Sequence, residues 1–271
     1  HLTEIVVDTD VKNRLRSGVL KIRLDALSEG IVILTIRDSD ITTIGDMNLA
    51  RERVGEAPFS GCESLLRVDL KGCTKLISVG TGAFTICSSL TSVVLPDSLT
   101  QIGDGAFGQC TSLTSVVLPD SLTQLGESAF INCTSLTSVV LPDSLTQLGM
   151  AAFYGCTALT SVVMPDSLTQ LGDHAFARCT SLTSVVLPDS LTQLDTGAFG
   201  ECFSLTSVVL PDSLTQIGEL AFSRCTSLTS VVLPDSLTQL GECAFGGCSS
   251  LMSVVLPDSA ELGDDVFLEC D

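Results

Sequence analysis

Cysteine is the residue of this sequence whose number and spacing most suggest chemistry. Eight cysteines recur at intervals of 23 residues: Cys87, Cys110, Cys133, Cys156, Cys179, Cys202, Cys225 and Cys248. A row of thiolates could bind zinc, but neither a Cys-x-x-Cys pair nor paired histidines accompany it, so a metal array is disfavoured. Side chains repeated in stacked units point the same way, whereas a disulfide needs converging Cβ vectors. The pattern therefore predicts a ladder of buried, reduced cysteines that fill space as small apolar side chains.

Four cysteines depart from this interval. Cys62 and Cys270 extend the row with altered spacing, while Cys73 and Cys243 lie outside it. Cys243 and Cys248 form a lone close pair for which a bridge stays open. The cysteines alone do not indicate a redox compartment.

Aspartate forms a second row, in which each member follows a proline. Its members are Asp97, Asp120, Asp143, Asp166, Asp189, Asp212, Asp235 and Asp258. Pro-Asp-Ser is turn chemistry, because an aspartate can accept a backbone N–H bond two residues further on. The alternative is a row of carboxylates that binds cations. Carboxylates stacked about 4.8 Å apart repel one another, so we expect added salt or Ca²⁺ to raise the thermal stability.

Residues suited to catalysis are scarce. His1 and His174 are the only histidines, and no nucleophile elbow, phosphate-binding loop or zinc spacing is present. The pairs in Asp8–Asp10 and Asp38–Asp40 are weak metal signals. We therefore predict a protein that is not an enzyme, with no cofactor and no metal site.

Charge narrows the class of partner. The net charge is −19, and residues 76–271 hold only two basic residues against twenty acidic ones. Such a field repels phosphate backbones and anionic bilayers, so neither nucleic acid nor a membrane surface is an expected partner. No stretch reaches the roughly 18 apolar residues that a membrane helix needs, so membrane insertion is not expected.

The elements that position these rows are repeats of 23 residues, which is typical of a solenoid. In one repeat, Val116 and Leu118 point inward from a short strand that Pro119 ends. The return is expected to be irregular or helical, with the recurring Phe130 position in the core. We predict an N-terminal cap over residues 1–60, with a short helix over Asn48–Val54, and about nine repeats over residues 61–271.

The repeat resembles the Treponema pallidum-type, or BspA-like, leucine-rich repeat. The resemblance rests on Cys110, Leu113, Val116, Leu118, Pro119, Leu122, Leu125, Gly126, Ala129 and Phe130 and on their equivalents in residues 59–270. It implies a leucine-rich repeat solenoid that is mostly β, with a parallel sheet on its concave face. It also implies an extracellular or cell-surface protein, since some relatives are adhesins. The family has no shared catalytic residues.

The outward residues of the predicted strands form the candidate binding surface. They are Ser92, Val94, Ser115, Val117, Ser138, Val140, Ser161, Val163, Ser184, Val186, Ser207, Val209, Ser230, Val232, Ser253 and Val255. Soluble monomers rarely expose long apolar stripes, although a β-favouring filler left by repeat duplication would look the same. We expect a protein-interaction or adhesion module whose partner is a protein or a repetitive polymer such as a glycan or fibre. The alternative is a structural subunit that self-associates or joins a larger assembly.

Overall fold

A computed structural model of the chain describes residues 3–7, 31–36, 42–44 and 59–270. Two sets of short strands recur in it. The first set is β1 (Thr3–Val7), β2 (Ile31–Ile36), β4 (Arg67–Asp69), β6 (Ser92–Val94), β8 (Ser115–Val116), β10 (Ser138–Val140), β11 (Ser161–Val163), β12 (Ser184–Val186), β14 (Ser207–Val209), β16 (Ser230–Val232) and β18 (Ser253–Val255). The second is β3 (Thr43–Ile44), β5 (Ser78–Val79), β7 (Gln101–Ile102), β9 (Gln124–Leu125), β13 (Gln193–Leu194), β15 (Gln216–Ile217), β17 (Gln239–Leu240) and β19 (Glu261–Leu262).

Both sets pair in parallel between successive coils, and each residue lies against its equivalent one repeat away. In the first set Ser92 pairs with Ser115, and in the second Gln101 pairs with Gln124. The predicted leucine-rich solenoid of stacked parallel strands is confirmed. The second strand of each coil was not predicted, and the helical alternative for the return is wrong, because the described residues contain no helix.

Inside the coils, phenylalanine forms one continuous stack. Successive rings from Phe59 to Phe267 lie 5.0–5.7 Å apart between centroids and are nearly parallel. Leucine, the inward valine and alanine of each repeat fill the remaining core. The predicted phenylalanine core is confirmed, and its packing fixes the spacing of the coils.

Polar side chains also link each coil to the one before it. The serine of each Pro-Asp-Ser corner donates its hydroxyl to a leucine carbonyl of the preceding coil, at 2.5–3.1 Å. Each cysteine of the row donates its thiol to a phenylalanine carbonyl of the preceding coil, at 3.1–3.3 Å. Successive coils are therefore linked by two hydrogen bonds that recur in each repeat, one at the corner and one in the core.

Strand pairing is interrupted after β11, at a coil boundary where one residue departs from the repeat, although the phenylalanine stack continues there from Phe176 to Phe199. Asp195 occupies a position that is glycine in the neighbouring repeats. At the preceding position, Gly172, an added Cβ would lie 2.6 Å from the nitrogen of Met150, so the coils leave no room for a side chain there. Both sheets lack strand pairing across this boundary. The first sheet is also interrupted between β14 and β16, where we find no corresponding substitution.

The N-terminal cap is described only in part. Strand β2 pairs in parallel with β4, so the first sheet continues upstream of residue 60. The predicted helix over Asn48–Val54 and the aspartate pairs in Asp8–Asp10 and Asp38–Asp40 lie outside the described residues. The domain boundary at residue 60 stays a prediction.

Candidate interaction surface

The first strand of each coil alternates between core and solvent, as a strand's period of two requires. Val116 and Val139 are 7 % and 2 % exposed, whereas the adjacent Val117 and Val140 are 81 % and 60 % exposed. Seven outward valines lie in the exposed class, with exposed fractions of 56–81 %: Val117, Val140, Val163, Val186, Val209, Val232 and Val255. Val94, at the start of the row, is half-buried. An apolar stripe therefore extends along the solenoid.

A row of serines runs beside the valines. Ser115, Ser138, Ser161, Ser184, Ser207, Ser230 and Ser253 are exposed, and Ser92 is half-buried. We call these serines and the outward valines together the Ser-Val surface. Residues of adjacent strands face each other in register where pairing is formed, as in Ser184 with Ser207 and Val186 with Val209. The surface therefore presents the same pair of side chains at each coil.

The threonines next to this surface have a structural role. Thr114, Thr137 and Thr160 each donate the side-chain hydroxyl to the backbone carbonyl one repeat earlier, at 3.1–3.4 Å. A hydroxyl donated within the protein is not free to donate to a ligand. The alternation of serine and valine, and not the threonine row, sets the chemistry of this surface.

The first coil of the array carries a different pair at the same positions. Arg67 and Asp69 pair with Ser92 and Val94 across β4 and β6. Their side chains form an ion pair of 3.6 Å between Nη2 and Oδ2, in which both remain partly exposed. One end of the Ser-Val surface is therefore charged.

The aspartate row borders the Ser-Val surface at the corners, and all eight carboxylates are exposed. Within residues 59–270 the structure gives no hydrogen bond to them, so the predicted turn-capping role of aspartate is not observed and the following serine holds the corner. In the same part of the chain, no three His, Cys, Asp or Glu side chains are arranged to hold a metal ion. Cation binding by this row stays a prediction.

The cysteine row is a structural feature of the core. All twelve cysteines are free thiols, and the eight of the regular row are fully buried. Burial raises the pKa of the Cys156 and Cys202 thiols to about 12, which suppresses the reactive thiolate. The close pair of Cys243 and Cys248 is not bridged. His174 is half-buried.

Within the described ranges, no helix has the length and hydropathy to cross a bilayer.

These features define a leucine-rich repeat solenoid whose largest repeated feature is an exposed sheet face. The family described as BspA type leucine-rich repeat region matches residues 46–160 and 146–271, with six copies of the repeat in its description. The chain belongs to this family, so the predicted resemblance is confirmed. The curated proteins include no significant match to the chain.

Solved structures share the fold. A leucine-rich repeat protein from Bacteroides ovatus is 28% identical, with a TM-score of 0.53 over 89% of this chain and 76% of that one. A leucine-rich cell surface protein from Faecalibacterium prausnitzii is 24% identical, with a TM-score of 0.52 over 91% and 82% of the two chains. The pneumococcal vaccine antigen PcpA is 19% identical, with a TM-score of 0.56 over 98% of this chain and 66% of that one. The family supports a protein-interaction repeat module.

Proposed function

We propose that the protein binds a partner through the Ser-Val surface, the sheet face predicted to be concave, and acts as a non-enzymatic adhesion module. The observation that carries this proposal is the row of seven outward valines exposed by 56–81 %. An uncovered apolar stripe costs hydration free energy, which a partner recovers by burying it. The repeated core residues explain the fold but do not require valine at outward positions.

The shape of the surface favours an extended partner. Each coil offers one hydroxyl and one branched apolar side chain, and coils in a parallel sheet follow one another about every 4.8 Å. A partner that lies along the sheet therefore meets the same contact at each step. An extended protein segment, a fibre or a glycan chain has the repeated groups to use it, with protein favoured by the family.

An extracellular or cell-surface location belongs to the same proposal. The similar protein from Faecalibacterium prausnitzii is a leucine-rich cell surface protein. The net charge of −19 favours repulsion from anionic bilayers and nucleic acids, which suits a module that meets neutral or cationic partners.

The experiment replaces Val140, Val163 and Val186 together by threonine. Each change exchanges a methyl group for a hydroxyl on an exposed side chain, so the fold is retained. At about 0.8 kcal/mol for each buried methyl lost, the variant should bind about fifty-fold more weakly to any protein or glycan that an array of purified matrix proteins and glycans identifies.

The matched control replaces three exposed residues of the second sheet, Gln124, Gln193 and Gln239, by threonine. This variant should bind as tightly as the parent protein. If the valine variant retains its ligands, or if both variants lose them equally, the Ser-Val surface is not the binding site.

Self-association through the same valines is the second candidate. A second copy would bury the stripe by the same hydrophobic driving force. Light scattering over a hundred-fold range of concentration separates the two. A constant monomer mass excludes self-association, whereas a dimer that the valine variant abolishes supports it.

A further inference from the structure

A cavity of about 430 Å³ lies at the charged end of the Ser-Val surface. Val94 and Val117, two outward valines of that surface, contribute to its lining, together with Pro96 from the next corner. Lys71 and Asp97 also line it and bring one positive and one negative side chain. The cavity therefore joins an apolar wall to two opposite charges, a combination typical of small binding pockets.

An insertion in the chain creates this cavity. Val68 pairs with Val93 across 25 residues, whereas Val79 pairs with Ile102 across 23, so two extra residues lie in the intervening corner. The corner begins with Lys71 in place of the proline that the following repeats have. The longer loop lies beside the next corner and forms one wall of the cavity.

Hydrogen bonds hold that wall in place. Within the loop, Thr74 donates its backbone N–H to the Gly72 carbonyl at 3.1 Å. From the next coil, Ser98 donates its hydroxyl to the Leu76 carbonyl at 2.7 Å, with a second contact of 3.3 Å to the Cys73 carbonyl. These bonds fix the cavity before a ligand arrives, which lowers the ordering cost of binding.

The two opposite charges of the cavity would orient a bound ligand. The inserted corner holds two basic residues, Lys71 and Lys75, of which only Lys71 lines the cavity, and the corners of the following repeats carry Asp97, Asp120 and the rest of the aspartate row. No ion pair joins Lys71 to Asp97 or to any other described residue. An anionic group is therefore favoured at Lys71, and a cationic group is favoured further along the row.

We propose that this cavity binds the carboxyl-terminal residue of a polypeptide partner. The terminal carboxylate lies at Lys71, the terminal apolar side chain packs on Val94, Pro96 and Val117, and a preceding basic residue faces Asp97. A chain end suits this site because its carboxylate and an apolar side chain share one Cα, so both fit in 430 Å³. The rest of the partner then follows the Ser-Val surface.

This assignment rests on the proposed function in taking the partner to be a polypeptide. The pocket itself is tested with a short probe, acetyl-Lys-Leu with a free carboxylate, followed by methyl NMR of the valines. We expect shifts confined to Val93, Val94 and Val117. The same dipeptide with an amidated end should bind about five-fold more weakly, since it lacks the charge that Lys71 attracts.

Variants locate the charge that recognises the probe. Lys71→Gln should weaken binding of the free acid about five-fold and leave binding of the amide unchanged. Lys75→Gln removes the same charge from a neighbouring residue that does not line the cavity, and it should have little effect. Equal binding of acid and amide, or equal effects of the two lysine variants, would overturn the assignment.

Two further arms complete the test. Hexanoate carries an apolar body and a carboxylate without a peptide, so tighter binding of hexanoate than of the dipeptide would overturn the choice of a polypeptide end. The triple threonine variant of Val140, Val163 and Val186 should bind the dipeptide normally. Loss of partner binding in that variant, without any dipeptide shifts in the parent, would sustain the proposed function and refute the pocket.

Discussion

Replacing Asp195 by glycine should stabilise the protein. Six of the eight equivalent positions from residue 103 to residue 263 donate a backbone N–H to the preceding coil at 2.7–3.0 Å, whereas Gly172 and Asp195 form no such bond. The Oδ2 atom of Asp195 is buried without a hydrogen-bond partner. The side chain therefore weakens the stack at the boundary where both sheets are interrupted.

The magnitude follows from two contributions. Removal of an unsatisfied buried oxygen contributes about 1–3 kcal/mol. Glycine costs up to about 1 kcal/mol in backbone entropy. With the middle of each range, the net gain is about 1.5 kcal/mol, which for a domain of this size raises Tm by several degrees, at about 2–4 °C for each kcal/mol.

Thermal melting followed by circular dichroism measures the effect, with Gly126→Asp as the reverse variant. A Cβ at residue 126 would lie 2.6 Å from the nitrogen of Asp104, so that variant should lose stability. Asp195→Asn keeps the Cβ and removes the charge, so it should recover only part of the gain. An unchanged or lowered Tm for Asp195→Gly would refute the reasoning, and equal gains from both variants would refute the steric part.

The stability gained by Asp195→Gly should also depend on pH. Burial, reinforced by the nearby Asp173 carboxylate, raises the pKa of Asp195 above its usual range. The folded state then binds the proton more tightly than the unfolded state, so ionised Asp195 destabilises the fold above its raised pKa. The advantage of Asp195→Gly over the parent should shrink as the pH falls through that pKa towards the ordinary aspartate value.

Three further outcomes are expected. Raising NaCl from about 10 to 150 mM should raise Tm by about 2–4 °C, because salt screens the carboxylates of the array; a flat response would contradict repulsion between them. Added Ca²⁺ should raise Tm as well, and a rise larger than that produced by NaCl at equal ionic strength would indicate that the aspartate row binds it. Phe153→Ala should cost about 3–5 kcal/mol in the free energy of unfolding, since Phe153 is fully buried in the stack, whereas Phe203→Ala, at a side chain that is 40 % exposed, should cost about 1–2 kcal/mol. Alkylation at pH 8, read by mass spectrometry, should label the half-buried Cys62, Cys243 and Cys270 before Cys156, whose pKa burial raises to about 12; fast labelling of Cys156 would mean that the coils open readily.

The sequence period predicts which side chains of the first strand are buried and which are exposed. The step from Val116 to Val117 separates core from solvent in any strand, and the recurrence of Phe130 and Cys133 makes a buried ladder in any stack. The second sheet is not predicted because Gln124–Leu125, with one exposed and one buried residue, is too short to show a period of two. So short a strand is stabilised by hydrogen bonds to the adjacent coils, and the sequence of one repeat does not predict it.

Hydrogen bonds between coils were the least predictable feature. The sequence Pro-Asp-Ser predicts a turn that aspartate caps, because that preference is local. In the stack, Ser121 instead reaches the Leu99 carbonyl of the preceding coil at 2.7 Å, and Asp120 is left in solvent. The partner lies 22 residues away in sequence, so local turn preferences do not predict it.

Identical repeats also explain where this protein can hold a distinctive site. A hydroxyl or thiol that donates to the preceding coil is satisfied because that coil presents the same carbonyl in the same place. Each regular coil is therefore nearly interchangeable with the next, and the Ser-Val surface can distinguish a partner's length but hardly its direction. A partner's orientation along the surface must therefore be set by a coil that differs from the others. The inserted corner at Lys71 is such a coil, because it has both a different shape and a positive charge. Asp195 is an exception of another kind, since its side chain costs stability at a position where the stack has no space for it.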